Sequence, residues 1–312
     1  MDISRLRQNL KPWMLPIAML CGILFHSVID SVQFLAPWLI FTMLLITFCR
    51  LRPSEFRITP LTWLIVAVQI FGGIALYFAL SPLSTDIAEG AMICVLCPTA
   101  TAAPVITGML GGSIAVLVAI SLLSNLGVAL VAPPFFAMIG GQTGMHISYA
   151  EAFLTIAAKV GPLILGPIAV ALLLLRFAPR VHDAISSRQS LSFYIWAVSL
   201  IIVVGRAVTF AMAEPAERVP EMVLLALIAG AVCIAQFIIG RRIGRRYGDR
   251  IAGAQGLGQK NTVLAVWMAV TYLNPIASIA PAAYIAWQNT INSVQIYYKE
   301  RRSAQSKNQA CR

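Results

Sequence analysis

Ten apolar runs, each close to the ~20 residues a helix needs to cross a ~30 Å hydrocarbon core, follow one another along this chain with short loops between them. They fall at about 12–30, 33–49, 60–80, 87–110, 113–139, 150–176, 191–213, 220–240, 251–273 and 275–297. Of 312 residues 59% are hydrophobic and 11% charged, and the mean hydropathy is +0.82. A soluble domain carries roughly a quarter charged residues, so this chain cannot build a water-facing surface. The expected fold class is an all-α integral membrane protein with ten transmembrane helices. Arg5, Arg7 and Lys11 precede the first run as in a signal peptide. No small-residue cleavage site follows, and Met19 and Leu20 before Cys21 make a poor lipoprotein box, so the run reads as a spanning helix.

Charge tests the count, because cytoplasmic loops hold the Lys and Arg and one missed span would invert every later loop. With the N-terminus inside, the inner segments hold Arg5, Arg7, Lys11; Arg50, Arg52, Arg57; Arg176, Arg180, Arg188; Arg241, Arg242, Arg245, Arg246, Arg250; and Lys299, Arg301, Arg302, Lys307, Arg312, which is 19 of the 23. The outer loops hold Arg218 together with Asp30, Asp86, Glu89, Glu151, Glu214, Glu217 and Glu221. Ten spans with both termini cytoplasmic fit every loop. The net charge of +11 is thus a topology signal and no sign of nucleic-acid binding. The end of the chain, 298–312, reads as a disordered cytoplasmic tail able to touch anionic membrane lipid.

Lys159, Arg206 and Lys260 remain, each inside a span, where a cation is costly unless paired, hydrated or functional. Lys159 and Arg206 are most simply structural charges. Lys260 sits in Gly253-Ala-Gln-Gly-Leu-Gly-Gln-Lys-Asn-Thr262, where three glycines and several polar groups interrupt an apolar helix. Such a break at membrane depth is tolerated only where it is buried in protein or lines a cavity. A second break lies in span four, at Cys97-Pro-Thr-Ala-Thr-Ala-Ala-Pro104, whose two prolines remove backbone donors and free carbonyls. Spans four and nine are five apart, which puts them at corresponding places in two halves, 1–139 and 150–297. Five spans per half make the second half inverted, and paired broken helices in inverted repeats point to a transporter's central site.

At these residues the chain resembles the bile acid:sodium symporter family, which includes bacterial carriers of organic acids. Pro281-Ala-Ala-Tyr-Ile-Ala-Trp-Gln-Asn289 is similar to that family's Pro-Ala-(small)-apolar run ending Trp-His-Asn, and Asn261-Thr-Val-Leu-Ala265 to its Asn-Ser-x-Leu-Ala. Pro98-Thr-Ala-Thr101 with Val105-Ile-Thr107 is similar to its Pro-Gly-Gly-Thr and Val-(Met/Ile)-Thr. The resemblance implies a panel of spans 1, 2, 6 and 7 and a core of spans 3–5 and 8–10, with spans four and nine crossing near mid-membrane. It also implies sodium held at the crossing, and an organic anion bound between core and panel by alternating access. Carried over by position, Thr101, Asn261, Thr262 and Asn289 line the site, with Gln259, Lys260 and Gln288 beside them.

The departures from that pattern weigh more. Aligned on Asn261, the family's sodium-binding glutamate and glutamine become Gly256 and Lys260, although a register shifted by one residue puts Gln259 in the glutamine's place. Its Ser-Asn pair becomes Ala103 and Pro104, and its two span-five hydroxyls become Leu117 and Ser121. No Asp or Glu falls deep within a span by this reading, and a fixed ammonium opposes a bound cation in low dielectric. The expectation is a member without sodium sites, whose Lys260 ammonium fills the sodium's volume. In one version Lys260 binds and releases a proton during the cycle; in the other it is a permanent tether on carbonyls freed in span four, and transport is uncoupled.

Other chemistry is thinly represented. The six cysteines form no disulfide framework, and Cys94-Val-Leu-Cys97 has no second pair or histidine cluster to make a metal site. His26, His146 and His182 are far apart, and the glycines at 253–258 lack the context of a phosphate loop. The chain therefore reads as a secondary carrier of a small organic anion, a carboxylate or sulfonate rather than an amine, in a bacterial cytoplasmic membrane. No enzyme activity, cofactor, metal or obligate protein partner is expected. An ordinary sodium symporter and a channel-like facilitator are the alternatives.

Overall fold

The computed structural model describes residues 14–49, 57–100, 103–140 and 149–310. Arg5, Arg7, Lys11, Arg50, Arg52, Thr101, His146 and Arg312 lie outside the described residues. Within them the protein is helical apart from one isolated antiparallel bridge, Thr99 with Lys260. The helices are α1 Met14–Leu24, α2 His26–Ile29, α3 Ala36–Phe48, α4 Pro60–Leu80, α5 Thr85–Leu96, α6 Ala103–Leu110 and α7 Ile114–Gly140. After residue 148 come α8 Tyr149–Phe177, α9 Pro179–Ser186, α10 Gln189–Ala213, α11 Val219–Arg246, α12 Arg250–Gly258, α13 Thr262–Tyr272 and α14 Ile279–Ala310. Short 3₁₀ turns at Asp30–Leu35, Ala216–Arg218 and Pro275–Ser278 join them.

The molecule is arranged for an apolar solvent. Trp63, Phe71, Leu130, Leu172 and Leu227 point outward, while Gln69, Glu89, Ser124, Gln236, Lys260 and Gln288 are buried. Among the described residues five helical stretches are long and apolar enough by themselves to cross a membrane: Ser31–Phe48, Pro60–Leu80, Ile114–Ile139, Ile156–Phe177 and Ala216–Arg246. Several other predicted runs are built from shorter pieces. The first is interrupted near Phe25, and the fourth and ninth are each two half-helices. Nearly all-helical structure with such helices is that of an integral membrane protein.

Helix starts follow local chemistry. Thr59 and Thr62 form a capping box at α4, Ser84 caps α5 and Asp249 caps α12, each satisfying amides that the first turn leaves without a partner. Helices α1, α3, α8 and α10 pack on one another. Helices α4 to α7 and α11 to α14 form a second set of contacts, joined to the first chiefly by α7 on α8, and within it α11 and α12 meet backbone to backbone. A Cβ on Gly240 would stand 2.3 Å from the Gly253 carbonyl oxygen, and one on Gly253 would stand 2.3 Å from that of Gly240.

Two expectations need correction. The tail read as disordered is helical to Ala310, because the stretch from Lys299 carries no Pro or Gly and is dominated by residues that favour helix. Glu89, read as an outer-loop acid, lies inside α5 with no exposed surface. Its position near a span end hid the fact that it faces the protein.

Candidate functional site

The interrupted helices meet at their breaks. Helix α5 stops at Leu96 ahead of Pro98, and α12 stops at Gly258, leaving 97–100 and 259–261 extended. The two segments pair antiparallel: the Ala100 N–H donates to the Gln259 carbonyl at 2.8 Å, and the Asn261 N–H to that of Pro98 at 2.8 Å. Lys260 and Thr99 face each other between these bonds. The Gln288 carboxamide of α14 covers the other edge, accepting from the Lys260 N–H at 2.9 Å and donating to the Lys260 carbonyl at 3.4 Å.

Breaking a helix leaves carbonyls without their usual donors, and in a membrane interior these must be satisfied by protein. From Cys94 to Pro98 every carbonyl is taken. Gln236 Nε2 donates to Cys94 O at 3.1 Å, and Lys260 Nζ to Val95 O at 2.8 Å. Gln69 Nε2 donates to Leu96 O at 2.8 Å and Cys97 O at 3.1 Å, while the Asn261 N–H takes Pro98 O. On the facing break, the Thr99 hydroxyl donates to Gly256 O at 2.7 Å, the Tyr284 hydroxyl to Gly258 O at 2.7 Å, and the Cys97 thiol to Asn261 O at 2.9 Å. Ser124 completes the network, accepting from the Thr99 N–H at 3.0 Å and donating to Gln69 Oε1 at 2.7 Å.

Lys260, at 1% exposure, is thus held inside this network with its Nζ on the Val95 carbonyl. Gln259, Asn261 and Thr262 are buried beside it. Gln259 Oε1, Asn261 Nδ2 and Thr262 Oγ1 have no hydrogen-bond partner among the described residues, so polar capacity is left over at the crossing. The Asn261 Oδ1 caps α13 by accepting from the Leu264 N–H. Pro104 is buried in the first turn of α6, and Ser121 is buried on α7. The α7 hydroxyl that reaches the crossing is that of Ser124, nearly one turn further on. Asn289 is half-buried on α14, one residue round the helix from Gln288, whose amide joins the network. Thr101 lies outside the described residues. Sequence reasoning missed Gln69, Ser124, Gln236 and Tyr284; the signal for the two glutamines was a lone amide within an apolar helix.

Each side of the crossing is braced by a carboxylate. Glu89, on α5, accepts from the Asn274 N–H at 2.7 Å, in the turn after α13. Asp249, at the start of α12, accepts from the Ser113 N–H at 2.8 Å, in the turn after α6. Each carboxylate from near the start of one broken helix thus ties down the end of the other. Asp86 adds a bond from Asn274 Nδ2 at 2.6 Å and pairs with Arg218, which also binds Glu221 at 2.8 Å and Glu214 at 3.2 Å. These bonds, the one to Glu221 foremost, hold the Arg218 proton more tightly than usual.

No protein-family model matches the chain. It is 24% identical over 223 residues to an uncharacterized sodium-dependent transporter, YocS, of Bacillus subtilis (strain 168). The match covers 69% of this chain and 65% of that protein, so the chain spans about 65% of the length of the curated relative it matches. This similarity supports a transporter family, and with the apolar helical fold it makes the chain an integral membrane protein similar to a transporter.

Proposed function

We propose that this protein is a secondary transporter that moves a small organic anion across a bacterial cytoplasmic membrane without sodium. The observation that carries this reading is the Lys260 ammonium fixed on the Val95 carbonyl at the meeting point of two broken helices. Unwound backbone of this kind supplies ion-coordinating carbonyls in transporters. Here those of 94–98 are committed to protein donors, and a second cation would sit against the ammonium. The mutual bracing by Glu89 and Asp249 supports ten spans arranged as two inverted repeats. The packing of α10 on α1 and α3, and of α3 on α8, supports a panel, which meets the core through α7 and α13. Of the two versions for Lys260 the tether is favoured, since its Nζ bonds a carbonyl freed by the break.

A second reading is an ordinary sodium/organic acid symporter, favoured by the sodium dependence in the relative's name. Uptake of radiolabelled organic acids into proteoliposomes separates the two. Saturable uptake at equal rates in sodium and potassium chloride supports the first reading, and a pH gradient then distinguishes proton-coupled from uncoupled transport. Stimulation by sodium alone establishes the second. Uptake that never saturates points to a channel, and no uptake of any acid rejects both carriers.

A further inference from the structure

Helix α11 has two distinct faces. Leu225, Ala229, Phe237 and Gly244 are buried against the protein, whereas Leu227, Ala231, Ile234 and Ile238 are exposed along the other side. In a helix long and apolar enough to cross a membrane, that second stripe faces lipid. Its spacing of three and four residues continues through Arg241, Arg242 and Arg245, with Arg246 beside them, and all four arginines are exposed. They belong to the lipid-facing side of the helix and not to the loop that follows it. Exposed apolar residues run from Val223 to Ile239, about 24 Å at 1.5 Å per residue, which is most of a ~30 Å hydrocarbon core. The arginines follow at once, at the level of lipid phosphates, and the exposed Tyr247 after them suits the same interface.

The adjacent sequence does not neutralise them. Between residues 222 and 299 the one acid is Asp249. Both its carboxylate oxygens are taken by backbone, Oδ1 by the Ala252 N–H and Oδ2 by the Ser113 N–H, each at 2.8 Å. Among the described residues none of the four arginines forms an ion pair. The scaffold beneath them is close-packed: a Cβ on Gly244 would stand 2.3 Å from the Asp249 carbonyl oxygen, so the end of α11 and the start of α12 are held together.

We propose that this end of α11 binds the phosphate headgroup of an anionic phospholipid in the leaflet it faces, with Arg242 and Arg245 at the centre of the site. This goes beyond the transporter reading and requires only that α11 spans the membrane. A guanidinium fork takes two phosphate oxygens at once, and four arginines on adjacent turns offer several such forks to a lipid lying along α11. Its acyl chain covers Ile234 and Ile238 while its headgroup meets the cations. A soluble anion gains the charge contact without the apolar stripe. A zwitterionic lipid brings its own ammonium against the guanidinium groups. Because α12 leads from this corner to the crossing, the bound lipid ties the half-helix that precedes Lys260 to one leaflet.

The test uses the full chain purified in detergent, with native mass spectrometry and thermal unfolding in phosphatidylglycerol or phosphatidylcholine of the same acyl chains. Wild type should hold phosphatidylglycerol at least about tenfold more tightly, which two basic residues at an anionic headgroup supply. Arg242→Gln/Arg245→Gln should remove most of that preference. Arg180→Gln/Arg188→Gln, which takes the same charge from exposed positions on and after α9, should keep it. Inorganic phosphate should neither raise the melting temperature nor displace the lipid. Equal binding of the two lipids by wild type overturns the proposal even if no variant folds. A preference that survives in Arg242→Gln/Arg245→Gln overturns it as well, and an equal loss in both double variants reduces it to general surface charge. Stabilisation by inorganic phosphate alone assigns the corner to a soluble anion and rejects the lipid.

Discussion

Lys260 Nζ donates to the Val95 carbonyl oxygen at 2.8 Å across the point where two interrupted helices meet. The bond joins residues 165 apart in the chain, so it exists only when the two breaks come together. In a continuous helix the Thr99 amide would satisfy that carbonyl, but the extended segment after Leu96 turns it to the Ser124 hydroxyl. The Lys260 amine therefore takes the place of a backbone donor.

Replacing Lys260 by Met keeps much of the volume but removes the donor. The Val95 carbonyl is then buried without a partner, a loss of about 1–3 kcal/mol. The melting temperature should fall by the same amount in sodium and potassium chloride. A sodium-specific recovery in the variant would show that the ammonium fills an otherwise competent sodium site.

Gln69 holds more of the site than its single amide suggests. It serves Leu96 O and Cys97 O and accepts from Ser124. Gln69→Leu should cost about 2–4 kcal/mol because several buried groups lose their partner together, and Ser124→Ala, which strands the Thr99 N–H and Gln69 Oε1, about 1–3 kcal/mol. In denaturant unfolding the double variant should be less destabilised than the sum, since the two residues share one network. Simple additivity would mean that the Ser124–Gln69 bond carries little of either effect.

The outer carboxylates divide by burial. Arg218 is 31% exposed, and its pairs with Glu214 and Glu221 are screened, so Arg218→Ala should cost less than about 1 kcal/mol. Glu89→Ala leaves the Asn274 N–H without its acceptor and should cost about 1–3 kcal/mol. Thermal unfolding of the two variants orders them directly, and an equal or larger loss for Arg218→Ala would mean that burial does not set the worth of these bonds.

How far the residues disclose this arrangement depends on the range of the interaction. Pro98, Pro104 and the glycines of 253–258 mark where helices stop, because their effects on the backbone are local. Which donor serves which carbonyl is a matter of contacts across the fold. Gln69 stands out in its apolar helix, but nothing near it in sequence points to Leu96. Ser121 and Ser124 differ by nearly one turn of the same helix, and only the packing of α7 against the crossing separates them. Glu89 lies where a hydropathy window cannot tell a loop acid from an inward-facing one. The helical tail was hidden for a related reason: charge density argued for solvent exposure, and exposure does not preclude helix.

The contact of α11 with α12 gives the sharpest steric prediction. At Gly240 an added methyl would stand 2.3 Å from the Gly253 carbonyl oxygen and 3.0 Å from Leu257 Cβ. Neither atom is the free end of a flexible side chain, so relief requires moving the half-helix that carries Lys260. Overpacking of this kind costs about 1–3 kcal/mol or more, and Gly240→Ala should lower both the melting temperature and the yield of folded protein. Gly72 is the control. Beyond its chain neighbours the nearest atom to a Cβ there is Val95 Cγ1 at 3.9 Å, ordinary contact, so Gly72→Ala in the interior of α4 should be neutral or stabilising by up to about 1 kcal/mol. Comparable losses in both variants would mean that glycine matters in these helices for flexibility; a loss at Gly240 alone assigns the effect to the close approach of two backbones.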